Sequence, residues 1–140
     1  MSEKLRVLFV CVANDARSPM AEALLRHLDS EHFEAHSAGT QPGQLDPRVI
    51  TTLAHAGVSP EGLRSKSMDE FAGQHFDYLI DLCDKSSDEP LLLPSSREAL
   101  VWNFADPTAD EHDDAFRHTF QEISERVRMF TLVKNKVVNV

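Results

Sequence analysis

Long apolar runs are missing from this 140-residue chain. No stretch of about 18 apolar residues occurs, so no membrane-spanning helix is expected. Cysteine is scarce: Cys11 and Cys83 are the only two, too few for a disulfide framework, which points to a reducing cytoplasm. Glycine and proline number 5 and 7, which excludes collagen-like and low-complexity chains. Positive charge is also short, with 14 basic residues against 23 acidic ones and a formal charge of −9. A chain so acidic is repelled by nucleic acid and by anionic membranes at long range, although a local site can still hold a small anion. Aromatic residues make up 7%, with one Tyr and one Trp. The first fifteen residues carry a short apolar run without a small-residue cleavage site, and we read them as a strand, not a signal peptide.

The remaining composition, 41% hydrophobic and 26% charged, is that of an ordinary globular protein. A chain this long buries roughly 68% of its unfolded surface, so one domain over residues 1–140 needs neither disulfide nor metal. Residues 6–12 are apolar without alternation, as suits a central parallel strand covered on both faces. After a break at 13–17, Ser18-Pro19 opens a helix with Met20, Ala21, Leu24, Leu25 and Leu28 on one stripe. A second strand over 33–36 is expected to end at Ser37-Ala38-Gly39-Thr40. Helical patterns follow at 47–56 and 68–73, a third strand at 76–83, a loop over 84–97 and a fourth strand at 99–102. Phe116, Phe120, Ile123, Val127 and Phe130 then recur at helical spacing in the clearest element of the chain. Strands alternating with helices predict an α/β fold, a three-layer sandwich around a four-stranded parallel sheet.

The chemistry concentrates where the first strand meets the first helix. In parallel α/β sheets, ligands gather outside the carboxyl ends of the strands. A loop entering a helix presents unpaired backbone N–H groups and the positive end of the dipole, which together cradle an oxyanion. The same field lowers a thiol's pKa, so Cys11 is expected to react as a thiolate. Arg17, six residues on, supplies a planar fork for two oxygens of a tetrahedral anion. The pattern Cys11-x5-Arg17-Ser18 therefore assigns a nucleophile, a cradle formed by Val12, Ala13, Asn14, Asp15, Ala16, Arg17 and Ser18, and a hydroxyl that can donate to sulfur. Asn14, Ser18 and Ser37 are read as supports of the loop.

The segment VLFVCVANDARSPMAEALLRHL resembles the phosphate-binding loop and first helix of the low-molecular-weight tyrosine phosphatase superfamily. Ser37-Ala38-Gly39-Thr40 is similar to the motif after that family's second strand, and Asp106-Pro107 to its general-acid loop. Within the superfamily, RSKSMDEF, FDYLIDLCD and WNFADP look like segments of the arsenate reductases built on this fold. The resemblance implies a low-molecular-weight phosphatase-like fold, Cys11 as nucleophile, Arg17 as oxyanion binder, Asp106 as proton donor and Cys83 as second redox thiol. Read from the residues alone, Cys83 also suits a buried core position, and Asp106 the start of a turn before Pro107. Many thioredoxin-coupled members carry a third cysteine shortly after the second; residues 84–90 hold none, so a three-thiol relay within one chain is excluded.

The resemblance thus implies a thiol-dependent arsenate reductase serving arsenic detoxification, with phosphate and sulfate as substrate analogues. The alternative is a phosphatase hydrolysing phosphomonoesters, whose pocket calls for aromatic walls that Phe104 and Trp102 could supply. No bound cofactor is expected. Electrons would come from an external thiol, with glutathione and glutaredoxin or another small thiol favoured over thioredoxin. The seven histidines show no metal-ligand spacing with either cysteine, and no catalytic metal is expected. Some reductases of this fold hold a potassium ion beside the loop with Asn, Glu, Ser and Asp side chains. Asn14, Glu22 and Ser37 match three of those places, but the fourth is Lys66, so a potassium requirement is not expected.

Overall fold

The computed structural model describes residues 4–12, 14–82, 94–105, 107–109 and 113–138. The expected elements Cys83 and Asp106, and Ala13 of the cradle, lie outside the described residues. Four strands form one sheet in the order β2-β1-β3-β4: β1 (Leu5–Cys11), β2 (Phe33–Gly39), β3 (His75–Asp81) and β4 (Ser95–Val101). Each pair in it is parallel. Three helices accompany the sheet: α1 (Arg17–Asp29), α2 (Pro47–His55) and α3 (Asp113–Val138).

The unalternating apolar run of β1 has the cause anticipated from sequence, since β1 is central and both of its faces are covered. Val7 and Phe9 join the larger core with α1, α2 and α3 residues such as Met20, Leu53 and Ile123. Leu8 and Val10 turn to the other face and pack with Met68, Phe71, Phe76 and Leu79. That second layer is thin. The helical pattern expected at 68–73 is a single 3-10 turn, Met68–Phe71, started by a Ser67 hydroxyl that accepts from the Asp69 N–H. Gly73 follows at φ 79°, a left-handed conformation that closes the segment.

Several boundaries differ from expectation. Ser37, Ala38 and Gly39 extend β2 instead of ending it, because each pairs in register with β1, Gly39 opposite Cys11. Residues 95–97, placed in a loop by their polarity, pair with β3 as the start of β4. β4 is an edge strand with mostly exposed side chains, so its hydrogen bonds, not its hydrophobicity, define it. Leu28 completes the predicted stripe of α1 yet stays 36% exposed, since the last turn reaches past the packed layer. The stripe of α3 is as read, with Phe116, Ile123, Val127 and Phe130 buried and Phe120 packed against the same core.

Candidate active site at the end of the central strand

β1 delivers Cys11 to the carboxyl edge of the sheet, where the thiol is 1% exposed. Two donors meet its sulfur. The Asn14 backbone N–H lies 3.2 Å from Sγ, and the Ser18 hydroxyl oxygen lies 2.9 Å from it. Asn14 Nδ2 donates to Ser18 Oγ at 2.7 Å, which leaves the hydroxyl proton available to the sulfur. Both contacts favour a sulfur that carries negative charge.

Asn14 is the hinge of the loop. Its φ of 50° lies in the left-handed region, which asparagine tolerates better than most residues. It is fully buried, and its side chain is satisfied at both ends. Nδ2 holds Ser18, while Oδ1 accepts the Lys66 backbone N–H at 2.7 Å. The carbonyls of the loop are tied outward: Cys11 O accepts from Thr40 N–H, Val12 O from Gln41 N–H and Asp15 O from Asp46 N–H. In a trans peptide the N–H points away from the C=O, so the ties on Cys11 O and Asp15 O turn the Val12 and Ala16 amides to the opposite side. α1 begins with Ala16 as its N-cap and has no side-chain cap hydrogen bond. A serine or aspartate cap would compete with an incoming anion; alanine does not.

Arg17 is the first residue of α1, and its Nη1 donates to the Phe104 carbonyl at 2.9 Å. That bond anchors the guanidinium on the segment that follows β4. Sequence reasoning did not foresee this anchor, since a backbone acceptor leaves no mark in residue identity. Ser37 supports the cradle by a longer route than expected. Its hydroxyl donates to Glu22 Oε1 at 2.5 Å and not to the loop. Glu22 in turn meets Lys66 Nζ at 3.1 Å and, as an ion pair without hydrogen-bond alignment, Arg26 Nη1 at 2.7 Å. The Glu22–Arg26 spacing on one helix face was the available sequence signal for that partner.

The structure therefore brings Cys11, Asn14, Arg17 and Ser18 into one loop, with Ser37 and Lys66 behind it. Leu82 N–H donates to Val10 O at 2.9 Å, so the chain just before Cys83 runs beside the strand that ends in Cys11. Phe104 and Pro107, on either side of Asp106, belong to the segment that anchors Arg17 and to a short 3-10 turn. Trp102 does not wall a pocket, as the phosphatase alternative allowed. It is 6% exposed and packs between Phe9 and Phe130. Among the described residues, no group of three His, Cys, Asp or Glu side chains could hold a metal ion, and no helix is long and apolar enough to cross a membrane. A separate groove of about 580 Å³ between α2 and α3 contains none of the cradle residues. Its cations Arg48 and Arg117 are paired with Asp46 and Asp114.

Comparison with known proteins places this geometry. The sequence model described as low molecular weight phosphotyrosine protein phosphatase matches residues 6–139. An arsenate reductase of Halalkalibacterium halodurans is 27% identical over 135 residues, covering 93% of this chain and 96% of that protein. A solved structure described as an arsenate reductase in the phosphate binding state superposes with a TM-score of 0.78 at 25% identity, covering 90% of this chain and 95% of that one. A thioredoxin-dependent arsenate reductase of Corynebacterium glutamicum superposes with a TM-score of 0.71 at 27% identity, covering 99% of this chain and 63% of that one.

Proposed function

Because the chain belongs to the low molecular weight phosphotyrosine protein phosphatase family, a family of enzymes, we propose that it reduces arsenate to arsenite at Cys11. The observation that carries this reading is a buried sulfur held by two donors at the mouth of an uncapped helix. Similarity to proteins named arsenate reductase supports the choice of oxyanion.

In the proposed reaction, arsenate docks against the amides of Val12, Ala13, Asn14, Asp15, Ala16, Arg17 and Ser18, with two oxygens on the Arg17 fork. The Cys11 thiolate attacks arsenic in line, and Asp106 protonates the departing oxygen, which leaves as water. A second thiol then attacks Cys11 Sγ. The sulfur–arsenic bond breaks with its electron pair left on arsenic, As(V) becomes As(III), and the two sulfurs remain as a disulfide. Overall, two thiols and one arsenate give arsenite, one disulfide and water.

Cys83 is the candidate second thiol, since β3 lies directly beside β1. With no third cysteine in the chain, the disulfide must pass to an external reductant. Glutathione with glutaredoxin, or another small thiol, suits a two-cysteine chain best; the thioredoxin dependence of the Corynebacterium protein defines the opposing arm of the test.

The phosphatase alternative loses one support. Tyr78 and Trp102 are both buried in the core, so neither contributes an aromatic wall for a phosphotyrosine ring. Arsenate-dependent NADPH consumption, measured side by side with the glutathione–glutaredoxin and thioredoxin systems, tests the reading. A phosphotyrosine peptide serves as control. Turnover with arsenate that Cys11→Ser abolishes is the expected result. Peptide hydrolysis without arsenate turnover would establish the phosphatase instead.

A further inference from the structure

Beneath the cradle, on the side away from its mouth, sits a buried charge cluster that the proposed reaction does not use. Glu22 is fully buried on α1, and the Lys66 side chain is only 8% exposed. A lone carboxylate or a lone ammonium at such a site would be costly, so each requires the other. Their contact is 3.1 Å, and Ser37 and Arg26 complete the surroundings of the carboxylate. One carboxylate against two cations leaves a net positive charge behind an anion site in a protein of charge −9.

Lys66 is also stitched to the cradle through its backbone. Its N–H holds Asn14 Oδ1 at 2.7 Å, and its carbonyl accepts from Gly39 N–H at 2.8 Å. Asn14 then reaches Ser18 and the Cys11 sulfur. The same residue therefore fixes the loop by its main chain and carries charge by its side chain. These residues do not fit a potassium ion. The ammonium already stands against Glu22 Oε1, and Arg26 faces Oε2, so a further cation would meet a cluster that is already net positive.

We propose that Lys66 is a positioning residue whose ammonium supplies, from within the chain, the monovalent positive charge beneath the oxyanion cradle. The proposal rests on the cradle binding oxyanions but not on arsenate being the substrate, and phosphate binding requires no reductant. Removing the side chain while leaving room should convert the internal cation into a dependence on an external one. A structural role alone would not create such a dependence.

The test uses inorganic phosphate to protect Cys11 from iodoacetamide at constant ionic strength. Tetramethylammonium, too large for the site, is compared with potassium and ammonium as the supporting cation. Wild type should bind phosphate equally in all three. Lys66→Ser should bind it about tenfold more weakly in tetramethylammonium, as loss of one nearby charge implies, and recover with potassium or ammonium. Lys66→Gln, neutral but space-filling, should be weak in every cation. The proposal is overturned if Lys66→Ser binds as wild type in tetramethylammonium, if no cation restores it, or if wild type itself responds to potassium. Thermal melting reports whether each variant folds. If Lys66→Ser does not, Lys66→Gln decides: tenfold weaker phosphate protection supports the proposal, and unchanged protection overturns it.

Discussion

An alanine at Gly39 would carry its Cβ to 2.6 Å from the Val12 carbonyl oxygen and 2.9 Å from both Cβ and N of Asn14. Two of those three atoms are backbone, and none can swing aside as a flexible side chain would. Carbon contacts settle near 3.5–4.0 Å, so β2 or the loop must give by roughly 0.5–1 Å. Overpacking of that kind costs about 1–3 kcal/mol, offset in part by about 0.4–1 kcal/mol from stiffening the unfolded chain. We therefore expect Gly39→Ala to lose about 1–2 kcal/mol in urea unfolding. The larger effect falls on function. Asn14 sets the loop at both ends of its side chain, and a displacement near 1 Å at a reacting group lowers turnover by about 10²-fold. Turnover and phosphate protection of Cys11 should both collapse. Gly43→Ala, whose Cβ meets nothing within 4 Å, is the control and should behave as wild type. Wild-type turnover and phosphate protection in Gly39→Ala would refute the claim that this contact shapes the cradle.

Other substitutions separate the remaining roles. Ser18→Ala removes a donor 2.9 Å from the sulfur and should raise the pH midpoint of Cys11 alkylation by about one unit, the worth of a charge-assisted hydrogen bond; an unchanged midpoint would show that the hydroxyl does not stabilise the thiolate. Cys83→Ser should spare p-nitrophenyl phosphate hydrolysis and lower arsenate turnover, whereas intact arsenate turnover would mean that an external thiol resolves the adduct alone. Asp46 caps α2 by accepting the Arg48 N–H. Burial opposes its ionisation, but hydrogen bonds from the Arg48 side chain and backbone outweigh it and hold the carboxyl below its ordinary value of 3.8. A depressed folded value adds stability above the unfolded value, and that stability is lost as pH falls through the folded one. Asp46→Asn keeps a capping acceptor but loses the charge at the helix N-terminus, and should accordingly cost about 0.3–1 kcal/mol near neutrality, with the gap from wild type closing as pH falls below the ordinary carboxyl value in urea titrations.

Much of the cradle was legible because its chemistry depends on residue type and local spacing. A thiol at a strand end and an arginine six residues on, in a loop that enters a helix, follow from the sequence from Cys11 to Ser18. Local order of this kind needs no distant partner. The stripe of α3 was readable for the same reason, as helical periodicity is a local property. By contrast, Ser37 and Gly39 read as the end of a strand, and residues 95–97 as loop. Both segments are polar or small, and only pairing with β1 and β3 made them strands.

By itself, the sequence determined the parallel α/β plan and the meeting of a thiol and an arginine at one strand-to-helix loop, because apolar periodicity and the spacing from Cys11 to Arg17 act over one or two turns of chain. Only the tertiary structure decided what holds that loop in shape. The Lys66 N–H on Asn14, the Phe104 carbonyl on Arg17, and the bare Cα of Gly39 against Val12 join residues far apart in sequence. Contacts of this kind depend on where the sheet brings backbones together, and no property of either residue alone announces them.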